Sequence, residues 1–273
     1  MIISASRRTD IPAYYSQWMA DRVREKYVCV RNPMNYNQVS RVDLSPDAVD
    51  CIVFWTKNPK PLIDTDLLNE FNDYAYYFQF SLNPYSKDIE INLPDKCDLI
   101  DAFKKLSDKI TPEKIIWRYD PVLINDKYTL QYHFDNFAAL AFALKGYTEK
   151  IIFSFMDFYK KISKNIESLN IKPMTEEEKN IVAANFSQVA KENNFLIETC
   201  AEDIDLSKYG IGHARCIDAE LISKITGRDF QVKRDKNQRP ECGCVKSVDI
   251  GSYNSCRNGC LYCYANYSRA ISP

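Results

Sequence analysis

Short apolar runs that alternate with helical patterns constrain the fold of this chain more than any other feature. Six runs rich in β-branched and aromatic residues predict strands at Ile2–Ser6, Cys51–Thr56, Tyr76–Ser81, Lys114–Asp120, Lys150–Met156 and Phe195–Cys200. A further short strand is predicted near Ser247–Ser252. Strand–helix alternation is typical of a parallel sheet with helical crossovers. The chain is therefore predicted to be an α/β protein that forms a full or partial TIM-like (β/α) barrel.

Three of the intervening helices are predicted by local patterns. Apolar residues recur three or four positions apart in two stripes, Leu99, Phe103, Leu106 and Ile110, and Leu130, Phe134, Phe137, Ala141 and Leu144. Thr175 and Glu178 have the spacing of a capping box, so a third helix is predicted to begin there. Each stripe predicts one apolar face that packs against the sheet.

Composition and charge exclude several classes of protein. The 273 residues are 45% hydrophobic, enough for a full core, and the formal net charge of −1 attracts the chain neither to nucleic acid nor to a membrane. No apolar run approaches the roughly 20 residues of a spanning helix, and no signal peptide is recognised. We expect a cytoplasmic protein, whose thiols stay reduced. With only two histidines, a His-rich metal site is not expected, and His133 is predicted to be a surface or packing residue.

The chain is predicted to divide into a body and a tail. Residues 1–230 contain the strand–helix units, and residues 231–273 begin with a polar, basic linker and continue into the cysteine-rich segment. The tail is expected to complete the barrel and to hold the cysteine site. The basic linker residues are expected to be solvated.

Three cysteines near the end of the chain carry the strongest functional signal. Cys256, Cys260 and Cys263 have the spacing Cys-x3-Cys-x2-Cys. Three thiolates on one loop can bind three irons of a cubane and leave the fourth iron open to a small molecule. A zinc site closes with four Cys or His ligands, usually in pairs, and this trio leaves an odd ligand. The spacing therefore favours a catalytic iron–sulfur cluster.

Four other cysteines are candidates for a second metal site, namely Cys200, Cys216, Cys242 and Cys244. Four thiolates suffice for a closed second [4Fe-4S] cluster or for a structural zinc, and both alternatives remain open. The other three cysteines, Cys29, Cys51 and Cys97, are predicted to be small buried hydrophobic residues.

Polar side chains follow most of the predicted strands. Because the active site of a (β/α) barrel is built at the carboxyl ends of its strands, these side chains are candidates for orienting a substrate or transferring protons. The candidate catalytic residues are Arg7, Arg8, Asp10, Lys57, Arg118, Asp120 and Asp157.

The cysteine loop resembles that of the radical S-adenosylmethionine (SAM) superfamily, including the aromatic Tyr262 before the last cysteine. The resemblance implies a [4Fe-4S] cluster whose open iron binds SAM, and reductive cleavage of SAM to a 5′-deoxyadenosyl radical. It also implies a reducing partner such as a flavodoxin or ferredoxin, and a full or partial (β/α) barrel. The substrate, a small molecule or another compound, is not implied.

The whole chain also resembles an uncharacterised bacterial family of unknown function that carries a radical-SAM-like C-terminal cysteine cluster. The matching segments are Ile3–Asp10, Phe54–Pro59, Trp117–Pro121, Gln238–Arg239 and Tyr262–Asn266. In the superfamily the cluster loop follows the first strand, whereas here it closes the chain. A circular permutation would explain this order, with the strand near Ser247–Ser252 beside Ile2–Ser6.

In the permuted order, the place of the superfamily segment that binds the SAM amino group would fall at Ser4–Arg7, so Ser6 and Arg7 are candidate cofactor-binding residues. The other candidate cofactor-binding residues are two tryptophans that could stack on a ring and two carboxylates that could bind hydroxyls or a cation, namely Trp55, Trp117, Glu198 and Glu202.

Two functions from other classes also account for part of the pattern. A non-enzymatic iron–sulfur or zinc protein that transfers electrons or binds a partner would need the cysteines alone. A barrel hydrolase or lyase with a structural metal tail would use Asp120, Asp157, Lys57 or Glu198 as acid and base. Nucleic acid is a less favoured substrate, because the charge of the chain is balanced.

Overall fold

The computed structural model describes residues 1–230 and 232–266, which form one eight-stranded parallel sheet, one antiparallel hairpin and eight α-helices. The strands are β1 Ile2–Ala5, β2 Tyr27–Asn32, β3 Asn35–Asp43, β4 Cys51–Thr56, β5 Tyr76–Ser81, β6 Ile115–Val122, β7 Lys150–Phe155, β8 Leu196–Thr199, β9 Gly212–His213 and β10 Val248–Asp249. The helices are α1 Ile11–Tyr14, α2 Ser16–Glu25, α3 Lys60–Asp64, α4 Lys96–Ile110, α5 Leu130–Leu144, α6 Ser163–Ile166, α7 Glu176–Glu192 and α8 Ala219–Thr226. Gln231 and residues 267–273 of the predicted tail lie outside the described residues.

The sheet runs in the order β10-β1-β4-β5-β6-β7-β8-β9, and every neighbouring pair is parallel. The predicted α/β class and its parallel sheet are confirmed. In the described part of the chain, no strand ladder joins the edges β9 and β10. The segments beside these edges do meet, because the Val245 amide donates to the Ile217 carbonyl at 3.1 Å.

The short strand predicted near the end of the chain is present and lies where a permutation requires it. β10 pairs in parallel with β1, with Ile3 opposite Val248 and Ser4 opposite Asp249. The last strand of the sequence is therefore the direct neighbour of the first. The predicted strands agree with the observed ones to within two residues at their ends, except that β10 ends three residues before the end of its predicted range.

The hairpin β2–β3 and the edge strand β9 were not predicted. The hairpin β2–β3 was missed because most of β3 is exposed and has no apolar run. The edge strand β9 was missed because two residues give no periodic signal.

The two faces of the sheet bury different sets of side chains, because successive residues of a strand point to opposite faces. Phe54, Phe78 and Phe153 lie on the face that packs against the helices. Val53 and Tyr77 lie on the other face, where they contact buried residues of the segment 214–245.

The three predicted helices are present as α4, α5 and α7. Helix α5 packs on α7 through Phe137 and Phe186, whose rings are stacked with centroids 3.8 Å apart. At the start of α7, the Thr175 hydroxyl and the Glu178 carboxylate each accept a backbone amide, so the capping box is confirmed. His133 on α5 is a packing residue, fully buried and hydrogen-bonded through both ring nitrogens.

Two expectations about isolated cysteines were wrong. Cys29 and Cys97 are exposed, and only Cys51 is the buried hydrophobic residue that was predicted for all three. Cys29 lies on the exposed hairpin and Cys97 in the first turn of α4, and neither neighbourhood was recognised as surface from the sequence. Within residues 1–230 and 232–266, the helices are too short or too polar to cross a membrane.

Candidate functional site

A cavity of about 590 Å³ lies at the carboxyl ends of the parallel strands. All the cysteines of the two predicted metal sites line it, namely Cys200, Cys216, Cys242, Cys244, Cys256, Cys260 and Cys263. The first two belong to the body and the other five to the tail, so the fold brings together thiols that are far apart in sequence. Carboxyl ends of parallel strands are where (β/α) folds build their sites.

Most of the predicted polar residues line the same cavity. The set consists of Ser6, Arg7, Arg8, Asp10, Trp55, Lys57, Arg118, Asp120 and Asp157. They come from the ends of β1, β4, β6 and β7. The cavity therefore joins both cysteine groups to a polar rim of mixed charge.

Three predicted cofactor-binding residues do not line this cavity. Trp117 is fully buried on the helix side of the sheet, where its ring stacks on Phe137 and its indole N–H donates to the Leu82 carbonyl at 2.9 Å. Glu198 forms an ion pair with Lys150 at 2.6 Å. Glu202 lies beside the cavity and accepts the Phe155 amide at 2.9 Å, and burial raises its pKa to about 7.

The loop that carries Cys256, Cys260 and Cys263 is fixed from the N-terminal side by Asp10. One oxygen of this buried carboxylate accepts the Lys57 amide at 2.7 Å and the Asn258 side-chain amide at 3.0 Å. The Tyr14 hydroxyl donates to the other end of Asn258 at 2.7 Å. Asp10 also accepts the Ala13 amide and caps α1. Its hydrogen bonds therefore position the cysteine loop.

A second anchor joins the two ends of the chain. The Asp249 carboxylate at the end of β10 accepts the hydroxyls of Ser4 at 2.9 Å and Ser6 at 2.6 Å, and the Arg7 amide at 2.8 Å. Gly251 follows so closely that a Cβ there would lie 2.1 Å from the Ser6 hydroxyl. Only glycine fits at that approach, and Asp249 thereby fixes the strand end that leads into the cysteine loop.

Glu90 is the third anchor of the cysteine loop. Its carboxylate is 1% exposed, accepts the Lys57 ammonium at 2.9 Å, and also binds Lys96 and the Tyr262 hydroxyl. Burial opposes ionisation, but the two lysines outweigh it and hold the pKa of Glu90 below its ordinary value. Glu90 also forms a backbone bridge with Cys260. The Glu90 carboxylate therefore holds in place both the cysteine loop and the buried ammonium group of Lys57.

The first cysteine group is largely withdrawn from solvent, with Cys256 and Cys260 buried and Cys263 half-buried. Burial raises the pKa of Cys256 to about 12 and raises that of Cys260 and Cys263 as well, although Lys57 opposes the shift at Cys260 and Cys263. Without a metal these side chains are neutral thiols at neutral pH. Metal binding would release their protons, as it does wherever thiolates are ligands.

The second cysteine group is a chain of neighbouring sulfurs. The Cys200 and Cys216 sulfurs are 3.5 Å apart, and Cys244 interacts with both Cys216 and Cys242. The Arg118 guanidinium donates to the Cys216 sulfur at 2.9 Å, and the Ile217 amide donates to the Cys244 sulfur at 3.3 Å. This group is thus supplied with hydrogen-bond donors from the body of the protein.

The donor set suits a soft metal or an iron–sulfur cluster, because thiolates select these over hard cations. Among the described residues, no three His, Cys, Asp or Glu side chains converge on a point that a single metal ion would occupy. A cubane binds each thiolate at a different iron, so its ligands stand further apart than those of one ion. Cys256 and Cys260 are buried, Cys263 is half-buried, and all three line the cavity, so they suit such a group in number and in chemistry.

Two guanidiniums lie over one tryptophan in the lining of the cavity. The Arg7 and Arg118 guanidinium carbons are 5.1 and 5.2 Å from the Trp55 ring centroid. Arg118 also pairs with Asp120 at 2.5 Å. At the rim, Arg239 pairs with Asp157 at 2.5 Å, a contact that the sequence did not predict.

Residues 2–265 match a family described as a domain of unknown function, DUF1848. The chain belongs to this family. The match covers nearly the whole chain, and the predicted resemblance to an uncharacterised family is confirmed. No curated protein matches the chain. Membership in DUF1848 therefore assigns no activity to the chain, and the residues of the cavity are the basis for its function.

Sequence reasoning missed the residues that hold the cysteine loop in place. Glu90, Asn258 and Asp249 received no role, and Tyr262 was noted only as the aromatic residue before the last cysteine, although all four take part in the hydrogen bonds that hold the loop or the strand before it. Asn258 lies inside the cysteine motif, and Asp249 is the only charged residue of its short strand, so both carried a weak signal. Glu90 lies in a loop without a pattern and had none.

Proposed function

We propose that this protein is a radical SAM enzyme in which Cys256, Cys260 and Cys263 hold a [4Fe-4S] cluster. When bound, the cluster and SAM together supply a 5′-deoxyadenosyl radical that abstracts hydrogen from a substrate. The protein supplies binding, orientation and exclusion of water. The observation that carries the proposal is that the only three-thiol loop of the described chain lines a cavity large enough for ligands.

The residues of the chain have separate tasks in this proposal. Asp10 and Glu90 fix the cysteine loop through Asn258 and Tyr262. Lys57 brings a buried cation near Cys260, which favours the thiolate over the thiol. Such contacts around a metal ligand commonly determine both its orientation and its basicity.

The remaining polar residues bind and orient ligands in the cavity. Trp55 offers a ring face, and Asp120 accepts the Ser154 hydroxyl and the Arg118 guanidinium. Asp157 and Arg239 line the entrance. These side chains supply both signs of charge, as the zwitterionic methionyl group of SAM requires.

A circularly permuted barrel is part of the proposal. It is supported by the parallel pairing of β10 with β1, which sets the cysteine loop after a strand that neighbours the N-terminal strand. Closure of the sheet would bring β9 and β10 together, and the contact between Val245 and Ile217 is consistent with that. A cytoplasmic setting and a flavodoxin or ferredoxin as electron donor complete the proposal.

The substitution Cys260→Ser is expected to abolish SAM cleavage. The protein is purified and reconstituted anaerobically with iron and sulfide, reduced in the presence of SAM, and assayed for 5′-deoxyadenosine. We expect nucleoside from the wild type, and background levels from Cys260→Ser because one of three cluster ligands is lost. Cys97→Ser is the matched control, since Cys97 is an exposed cysteine in α4.

The same assay distinguishes the alternatives. A wild type that binds iron but releases no nucleoside would contradict the proposal and favour an electron-transfer protein. Equal nucleoside from Cys260→Ser and wild type would remove the cysteine loop from the chemistry.

A further inference from the structure

We propose that Cys200, Cys216, Cys242 and Cys244 form a second, tetrathiolate metal centre, and that Arg118 and Arg7 are its counter-ions. The ligand class is a thiophilic metal, either Zn²⁺ or an iron–sulfur cluster. Among the described residues, no three of these side chains already converge on one ion position, so binding of either ligand would draw the four sulfurs together. Four thiolates around divalent zinc or a dicationic cubane leave a dianion in either case. The inference uses none of the cysteines of the proposed SAM cluster, so it stands or falls separately.

The four cysteines are brought together by the fold and not by a local motif. Cys200 follows β8, Cys216 follows β9, and Cys242 and Cys244 precede β10, so they come from both edges of the sheet. Cys216, Cys242 and Cys244 are buried. The Cys200 and Cys216 sulfurs, 3.5 Å apart, are near the ~3.8 Å edge of a zinc–thiolate tetrahedron with bonds of about 2.3 Å.

Arg118 is a buried cation directed at this group. Its side chain is 5% exposed, and its Nη1 donates to the Cys216 sulfur at 2.9 Å and to the side-chain amide oxygen of Gln79 at 3.4 Å. Asp120 is its carboxylate partner, and Asp120 also accepts the Ser154 hydroxyl. Donation to a ligand sulfur is a recognised means of stabilising the extra negative charge of a thiolate centre.

Arg7 supplies a second cation to the same group. Its guanidinium lies over Trp55, and the Cys244 and Cys216 thiols are within electrostatic range. Among residues 1–230 and 232–266, no hydrogen bond joins the guanidinium of Arg7 to an acceptor. The Asp249 carboxylate, which accepts the Arg7 backbone amide, is also within electrostatic range of the guanidinium. A guanidinium near the Cys216 and Cys244 thiols is suited to a negatively charged ligand, which the metal-bound thiolates would supply.

Burying a dianion in protein is costly unless cations and hydrogen-bond donors compensate. Arg118, Arg7 and the Ile217 amide provide such compensation at the sulfurs of Cys216 and Cys244. The contacts predict that the arginines retain the metal. Both residues were candidates for catalysis or SAM binding on sequence grounds, and the contacts of their side chains favour this other role.

The test uses the full chain with Cys256, Cys260 and Cys263 changed to serine, so that only the second group can bind metal. The protein is reconstituted anaerobically with iron and sulfide in one arm and with zinc in the other. Bound metal, inorganic sulfide and the rate of metal loss to a chelator are then measured. We expect about four irons with sulfide, or one zinc, per chain. Further change of the other four cysteines to serine is expected to abolish binding.

Counter-ion variants are made in the same background. Arg118→Gln is expected to speed metal loss by about 10- to 100-fold, and Arg118→Lys, which keeps the charge, by less. Arg7→Gln should act in the same direction and serves if Arg118→Gln does not fold. Where iron is bound, Arg118→Gln should also lower the midpoint potential, which a purely structural role would not do.

The outcomes separate the two parts of the inference from each other and from the proposed function. No metal in the serine background in either arm would overturn the second centre. If Arg118→Gln and Arg7→Gln lose metal at the same rate as the serine background, and their midpoint potentials are also the same, the counter-ion role is overturned. Neither outcome bears on SAM cleavage at the first group, because the ligands and the readouts differ.

Discussion

Glu90→Ala is expected to lower the free energy of unfolding by about 3–5 kcal/mol, the usual effect of removing one partner from a buried ion pair. The Glu90 side chain is 1% exposed, and its carboxylate pairs with Lys57 and Lys96. Its loss would leave both ammonium groups in a poorly solvated site without their counter-charge. It would also release Tyr262, which lies between two of the loop cysteines.

Chemical unfolding of the wild type and the variant at neutral pH measures this effect. Glu70→Ala is the matched control, because Glu70 pairs with Arg24 at the surface at 2.6 Å. A solvent-exposed pair contributes little to stability, so Glu70→Ala is expected to unfold almost like the wild type. A Glu90→Ala protein as stable as the Glu70→Ala protein would show that the buried network does not hold the fold.

Acidification is expected to destabilise the protein through His133. Burial lowers the pKa of this histidine from 6.5 to about 4. Its Nε2 donates to the Leu123 carbonyl at 2.8 Å, and its Nδ1 accepts the Tyr119 hydroxyl at 2.8 Å, so both bonds fit the neutral ring. The unfolded chain binds a proton at this residue below pH 6.5, whereas the folded protein resists it until about pH 4.

Because the unfolded state binds more protons in this window, stability falls as the pH falls. The shift corresponds to about 3 kcal/mol over the whole window and to about 2 kcal/mol between pH 7 and pH 5. Unfolding free energies of the wild type and His133→Gln at these two pH values test the prediction. Other groups titrate in both proteins. The decisive quantity is therefore how much more unfolding free energy the wild type loses between pH 7 and pH 5 than His133→Gln does. An equal loss of stability in both would contradict the role of His133.

The class of the fold was predictable because the long buried strands consist of nearly continuous apolar runs. Cys51–Thr56 and Tyr76–Ser81 have the predicted bounds in the structure. The pairing of β10 with β1 was also predicted, from the order of the cysteine motif. The hairpin was not, since exposed strands have no such run.

Which residues line the cavity was predictable only in part. The sequence does not show which face of the sheet a strand side chain points to, because that depends on where the core lies. Trp117 and Arg118 are neighbours in sequence, yet one packs against the helices and the other lines the cavity. The role of Glu90 depends on two lysines that approach from different parts of the chain. No local pattern reports such a contact.

The central claim is that Cys256, Cys260 and Cys263 leave one iron open to SAM. The most direct test uses the protein with Cys200, Cys216, Cys242 and Cys244 changed to serine, reconstituted and reduced without oxygen. Its electron paramagnetic resonance spectrum is recorded before and after addition of SAM. We predict the signal of one reduced [4Fe-4S] cluster, with g-values that shift when SAM binds. A cluster signal that SAM leaves unchanged, or a protein that binds no iron, would contradict the claim.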